Sequence, residues 1–177
     1  MGLILLFRSC MILGFLFSAW RWGDWKNWEK YYPTVLFMVV VNLAASFLTY
    51  HHILWKYNPD ILMKTQTTVE MLNAFVQLPA VAFIFLSKFP SGTKARQFAY
   101  IVLWVLIFAS LEFTAHYIVG SLSYQNGWSW FVSVAFDCAI FSILRLHHLK
   151  PVWAWLSVCL LTAIILVVFN FDSAEMK

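Results

Sequence analysis

Three charged side chains stand within long apolar runs: Arg8, Glu112 and Asp137. A charge near the centre of a bilayer costs ~2.5–3.5 kcal/mol on insertion scales, so such a residue needs a partner or a water-filled cavity. His116 follows Glu112 by one helical turn, which puts an acid and an imidazole on one helix face. Such a pair can hold and pass protons. Shorter polar side chains recur at helical spacing as well. They form the stripes Asn42, Ser46, Thr49 and His52; Glu70, Asn73 and Gln77; and Ser129, Ser133 and Asp137. The candidate ligand-binding set is Arg8, Asn42, His52, Asn73, Gln77, Glu112, His116 and Asp137, with Glu112, His116 and Asp137 as catalytic candidates.

Three chemistries fit these residues. In the first, Arg8 pairs with Glu112 or Asp137, and the amides and hydroxyls bond between helices. In the second, carboxyls and a histidine bind a small molecule or ion, or relay protons. In the third, Glu112 or Asp137 acts as an acid on a lipid or isoprenoid, with His116 as base or orienter. His52, His116 and Glu112 are also of the right type for zinc. Yet no HExxH or other ligand spacing occurs, so no metal is expected, and no cofactor. The chain has no GxxxxGK[ST], GxGxxG or GxSxG motif and no Asp-rich diphosphate motif. An ATPase, a common serine hydrolase and a typical prenyltransferase all lose weight.

The elements that must position these groups follow from composition. Of 177 residues, 62% are hydrophobic and 11% charged, with mean hydropathy +0.75. A soluble domain carries about 25% charged residues. The excess apolar surface must face lipid, in a single integral membrane domain over 1–177. A membrane helix needs about 20 mainly apolar residues. Six segments answer: about 2–20, 35–55, 70–87, 98–119, 128–147 and 151–170. Pro79 should kink the third. The first lacks a basic lead and a small-residue cleavage site, so it reads as a retained helix.

Eight of the twelve Lys and Arg residues fall in the first, third and fifth loops, against two in the second and fourth. Arg8 and Lys177 complete the set. Excess cations mark the cytoplasmic side, so both termini are expected outside. The net charge of +4 reads as topology signalling, and nucleic acid is not an expected partner. Nine of ten tryptophans lie at or beside helix ends, Trp104 being the exception. That placement suits the headgroup level. The stretch Trp20–Tyr32 has the spacing of a short interfacial amphipathic helix, ended by Pro33. Cys10, Cys138 and Cys159 read as small buried hydrophobes. His147 and His148, beside Lys150, read as headgroup contacts.

Depth follows from the 1.5 Å rise per residue. His52 and His116 should lie roughly 10 Å outward of their helix midpoints, Asn73 about 8 Å and Glu112 about 5 Å, with Asp137 central. The expectation is a polar funnel open to the outside, floored by Asp137.

Asn27-Trp28, Tyr31-Tyr32-Pro33-Thr34, Leu54-Trp55 and Tyr57 occur in that order, followed by Glu112, Gly127-Trp128, Arg145-Leu146-His147 and Pro151. Together they resemble a family of small multi-span membrane proteins from spore-forming Firmicutes, bacilli and clostridia. The resemblance implies a bacterial cytoplasmic membrane location and motif residues gathered at helix ends alongside Glu112. It brings no activity with it. The reading is therefore an all-α polytopic bundle of about six spans, N-out and C-out. Its outward-facing cavity would bind a small molecule or lipid, as an accessory or transporter-like component. A lipid or isoprenoid enzyme, and a structural or assembly partner, are the alternatives. Membrane lipids are the expected surroundings. Ala135 and Ala139 allow close packing against a second copy or another membrane subunit.

Overall fold

The helices begin where a side chain can satisfy a free backbone donor. Thr65, Thr93 and Ser129 each accept from the amide three residues on, and Pro151 opens the last helix, where its missing N–H is harmless. The structure, a computed structural model, describes residues 1–171. Among them six helices are long and apolar enough to cross a membrane. They are α1 Gly2–Trp22, α2 Trp28–Leu48, α3 Gln66–Ser87, α4 Lys94–Val119, α5 Trp130–Leu149 and α6 Pro151–Val168. Lys177, counted in the charge pattern, lies outside the described residues.

Two of the spans are not uniform. In α3 a π turn at Asn73–Gln77 precedes Pro79, and the Leu78 amide reaches back to the Asn73 carbonyl. A proline ring collides with the carbonyl four residues earlier. The wider turn accommodates the ring within a continuous span, so Pro79 leaves a bulge. In α4 a second π turn, Thr114–Val119, ends at Gly120, whose φ of 68° suits a residue without Cβ.

The connections alternate between two ends. At one, the Asp24 amide donates to Ser87 Oγ at 3.2 Å, and Tyr31 stacks on His148. The three cation-rich loops gather there. At the other end β1, Trp55–Tyr57, pairs antiparallel with β2, Leu122–Tyr124, with Trp55 opposite Tyr124. This strand pair joins the second and fourth loops.

α3 is the central span. Ala80 to Leu86 are all buried, packed between α1 and α2. Phe85, Trp104 and Phe141 join α3, α4 and α5 in an aromatic cluster, with ring centroids 5.1–5.9 Å apart. α6 packs chiefly on α5 and leaves most of its surface outward, as lipid-facing helices do.

Several expectations are corrected. α2 runs from Trp28 to Leu48, earlier at both ends than expected, so His52 lies in a loop. The stretch after α1 forms a single 3-10 turn, Trp25–Asn27, and Pro33 lies within α2 instead of ending a helix. Asp24 accepts from the Asn27 side chain and the Tyr31 hydroxyl, which draws α2 back across the turn. Trp128 is buried and donates to Ser133 Oγ at 2.7 Å, instead of standing at the surface. The three cysteines are exposed, because a thiol loses nothing by facing lipid. His147 is buried against Phe37, its Nδ1 2.9 Å from Thr34 Oγ1, because α2 crosses α5 at that level.

Gly23 makes the tight exit from α1 workable. A Cβ there would strike the Phe83 ring and the Ala19 carbonyl. A Gly23→Ala variant should lose about 1–3 kcal/mol, the usual range for overpacking, read as a lower thermal midpoint.

Candidate functional site

Between the cation-poor end and the aromatic cluster lies a cavity of about 220 Å³. α1 contributes Arg8, α2 Asn42, the first π turn Asn73 and Gln77, α4 Glu112, and α5 Ser133 and Asp137. Six of the eight sequence-derived candidates thus line one space. Both π turns border it, through Asn73 and Gln77 on one side and Ala115 on the other. Insertions of this kind rotate the residues beyond them, which is one reason they recur at functional sites.

The two histidines are not among the lining residues. His116 Nδ1 lies 3.0 Å from the Leu122 carbonyl, and Tyr124 and Tyr117 pack on its ring. His52 packs on Phe171, outside the cavity. The zinc set of His52, His116 and Glu112 is therefore not assembled, and among the described residues no cluster of three metal-ligating side chains occurs.

The partner of Arg8 is also corrected. Its guanidinium is bonded to the Asp60 carboxylate and donates to the Asn58 carbonyl at 3.0 Å, in place of Glu112 or Asp137. Asp60 belongs to the long second loop, 49–65, and is fully buried. Its Oδ1 accepts from the Leu62 and Met63 amides at 2.8 and 2.7 Å. Asn58 spans the gap to the fourth loop. Its amide reaches the Gly120 carbonyl at 2.7 Å and Ser123 Oγ at 3.0 Å. With the β1–β2 pair, these bonds tie the second loop to the fourth, and Trp55, Tyr57, Ser121 and Leu122 line that end of the cavity as a cover.

Sequence reasoning missed the cover and the aromatic lining from Trp55, Tyr57 and Trp128. The signal present was slight. Asn58-Pro59-Asp60 is a turn sequence, and Asp60 is the one carboxylate in its loop.

Burial alone would raise the Asp60 pKa, but the Met63 and Leu62 amides and the Arg8 guanidinium outweigh it and hold the carboxyl below its ordinary range. A carboxyl with a depressed folded pKa stabilises above its unfolded value, ~3.9, and loses that contribution as pH falls through the folded one. Wild type and Asp60→Asn should therefore differ in thermal midpoint at pH 7 and still at pH ~5, and converge only once pH has fallen below the folded pKa of Asp60. Tyr57 is pushed up to about 12, first by burial and then by the nearby Glu70 and Glu112 charges against a lowering bond to Asn73. Tyr124 is raised as well, by burial and then by Glu112. Both phenols keep their protons at neutral pH. The Tyr124 hydroxyl donates to Glu112 Oε1 at 3.0 Å.

One carboxylate oxygen has no such donor. Among the described residues, Asp137 Oδ2 and Asn42 Oδ1 are buried at the cavity without a hydrogen-bond partner, as is Arg145 Nε away from it. Asp137 is 8% exposed.

Fold and cavity together define a polytopic helical membrane protein with a covered polar pocket in one half of its bundle. No protein-family model, curated protein or solved structure matches the chain.

Proposed function

We propose that this protein is a membrane-embedded binding component, accessory or transporter-like, whose cavity takes a small molecule or a lipid. The observation that carries the reading is the pair of buried, unpartnered acceptors, Asp137 Oδ2 and Asn42 Oδ1, at a cavity of about 220 Å³. Leaving a buried polar group unmatched costs about 1–3 kcal/mol. A cluster built only to hold helices together would avoid that cost; a site awaiting donors accepts it.

Two further features support the reading. The cavity lies at the cation-poor end, which the positive-inside rule puts outside a bacterial cytoplasmic membrane. The aromatic cluster of Phe85, Trp104 and Phe141 fills the bundle toward the other end, which suits capture better than a through-going pore. The catalytic alternative is left with Glu112 and Asp137, because His116 is bonded to the Leu122 carbonyl away from the cavity.

The test is a high-resolution structure of the protein purified with native lipid. Non-protein density beside Asp137 is expected. Water alone, pairing both acceptors in an otherwise closed cluster, would remove the binding reading in favour of a structural one.

A further inference from the structure

A second cavity, of about 160 Å³, runs between α2, α5 and α6. Its lining is almost wholly aliphatic and aromatic, with Val158, Leu161 and Ile165 on successive turns of α6. From Trp155 to Leu166 it follows α6 for roughly 16 Å at the helical rise. α6 is the least buried of the six spans, which puts this crevice on a lipid-facing side of the bundle.

The two cavities share a wall. Met38, Asn42, Trp55, Phe136 and Ile140 line both. The polar space and the apolar crevice are therefore one side chain apart, and the unpartnered Asn42 oxygen stands in that wall. The polar side is also one-sided in composition. Arg8 is committed to Asp60, so the lining holds two acids, Glu112 and Asp137, and no unpaired Lys or Arg, with His116 acting on Glu112 from outside it. Glu112 lies near enough for its charge to act on Asp137. The open valences are both oxygens, one on the Asp137 carboxyl and one on the Asn42 amide. A phosphate or carboxylate head would meet two acids and gain no unpaired Lys or Arg.

Resting on the binding reading above, we infer that the ligand is a single-chain amphiphile drawn from the bilayer. Its head carries N–H or O–H donors and no anionic group. The head sits at Asp137 and Asn42, and the aliphatic chain passes Phe136 and Ile140 into the crevice along α6. An amine head would also neutralise the acids; a hydroxyl head would supply donors alone. The shared chemistry is donation to Asp137.

The experiment uses the full chain in phosphatidylcholine nanodiscs, since that lipid head has no N–H or O–H donor. Thermal midpoints are read with dodecylamine, monolauroylglycerol, dodecanoate or ethanolamine added. At ligand near a hundred times Kd, the donor-headed amphiphiles should raise the midpoint by about 5–10 °C. Dodecanoate and ethanolamine should give far less. Which of the first two is stronger separates an amine head from a hydroxyl head. Ile140→Trp, which fills the shared wall, and Leu161→Trp, which fills only the crevice, should each abolish the rise. Two variants are used because either one could fold poorly.

An equal rise with dodecanoate overturns the head assignment. A full rise with ethanolamine overturns the need for a chain, while small-molecule binding in the polar cavity stands. No rise with any probe overturns the amphiphile. In that case density beside Asp137 in the native-lipid structure would keep the broader binding reading, and a closed cluster holding only water would remove both.

Discussion

Arg8→Leu should lower the unfolding free energy by about 3–5 kcal/mol, the range for removing one partner of a buried ion pair. The large effect comes from what remains. Asp60 is fully buried, and without Arg8 its charge keeps only the amides of Leu62 and Met63. Asp60→Leu should cost a similar amount, because it strands a buried guanidinium whose other bond is to the Asn58 carbonyl. The double variant Arg8→Leu/Asp60→Leu should be less destabilised than either single one, since two apolar groups replace two charges. The cycle is read by thermal or denaturant unfolding in one fixed lipid environment. Single variants whose costs simply add would mean that the two residues do not act as a pair. The local consequence is separate. Both single variants should free the cover, and a label at Lys56 should become more mobile while one at Lys26, at the other end, does not change.

Asp137→Leu should do the opposite to the empty protein. Most substitutions of buried residues destabilise. This one removes an acceptor that has no donor, beside a space large enough to receive the new side chain. The expected gain is about 1–3 kcal/mol in ligand-free protein, the penalty for an unmatched buried polar group. Ligand-dependent stabilisation should vanish in the same variant. Asp137→Asn offers a finer comparison, since it keeps the shape and replaces the ionisable carboxyl by an amide. It should weaken an amine-headed ligand more than a hydroxyl-headed one. A large loss of stability in Asp137→Leu would show that the carboxyl holds the bundle together, and the structural reading would replace binding.

The bundle uses its buried ionisable groups in two opposite ways. Arg8 and Asp60 satisfy each other and fasten the second loop across the bundle. Glu112 and Asp137 share a cavity in which Ser133 and Tyr124 serve Glu112 and no donor reaches Asp137 Oδ2. A protein that only needed helix–helix polar contacts would have matched all four groups.

The sequence by itself determined the number of spans, because length and hydropathy are local properties and a bilayer demands about 20 apolar residues per helix. It also determined which loops share an end, since each crossing reverses the chain. The polar stripes on α3 and α5 were legible for the same reason. Asn73 with Gln77, and Ser133 with Asp137, are spaced by one turn and so share a helix face whatever lies opposite. What lies opposite was not legible. Arg8 found Asp60, fifty-two residues away in a loop that reads as a polar connection. His116 has the right spacing from Glu112, yet the π turn at Thr114–Val119 and the Leu122 carbonyl take it off the cavity. His52 was lost with the end of α2 at Leu48, a boundary that apolar residues on both sides obscured. The wall shared by the two cavities joins residues from α2, α5 and the second loop, and no periodicity within one segment relates them. Rise and hydropathy act along a helix; pairing, cover and cavity depend on which helix stands beside which, and only packing in three dimensions decides that.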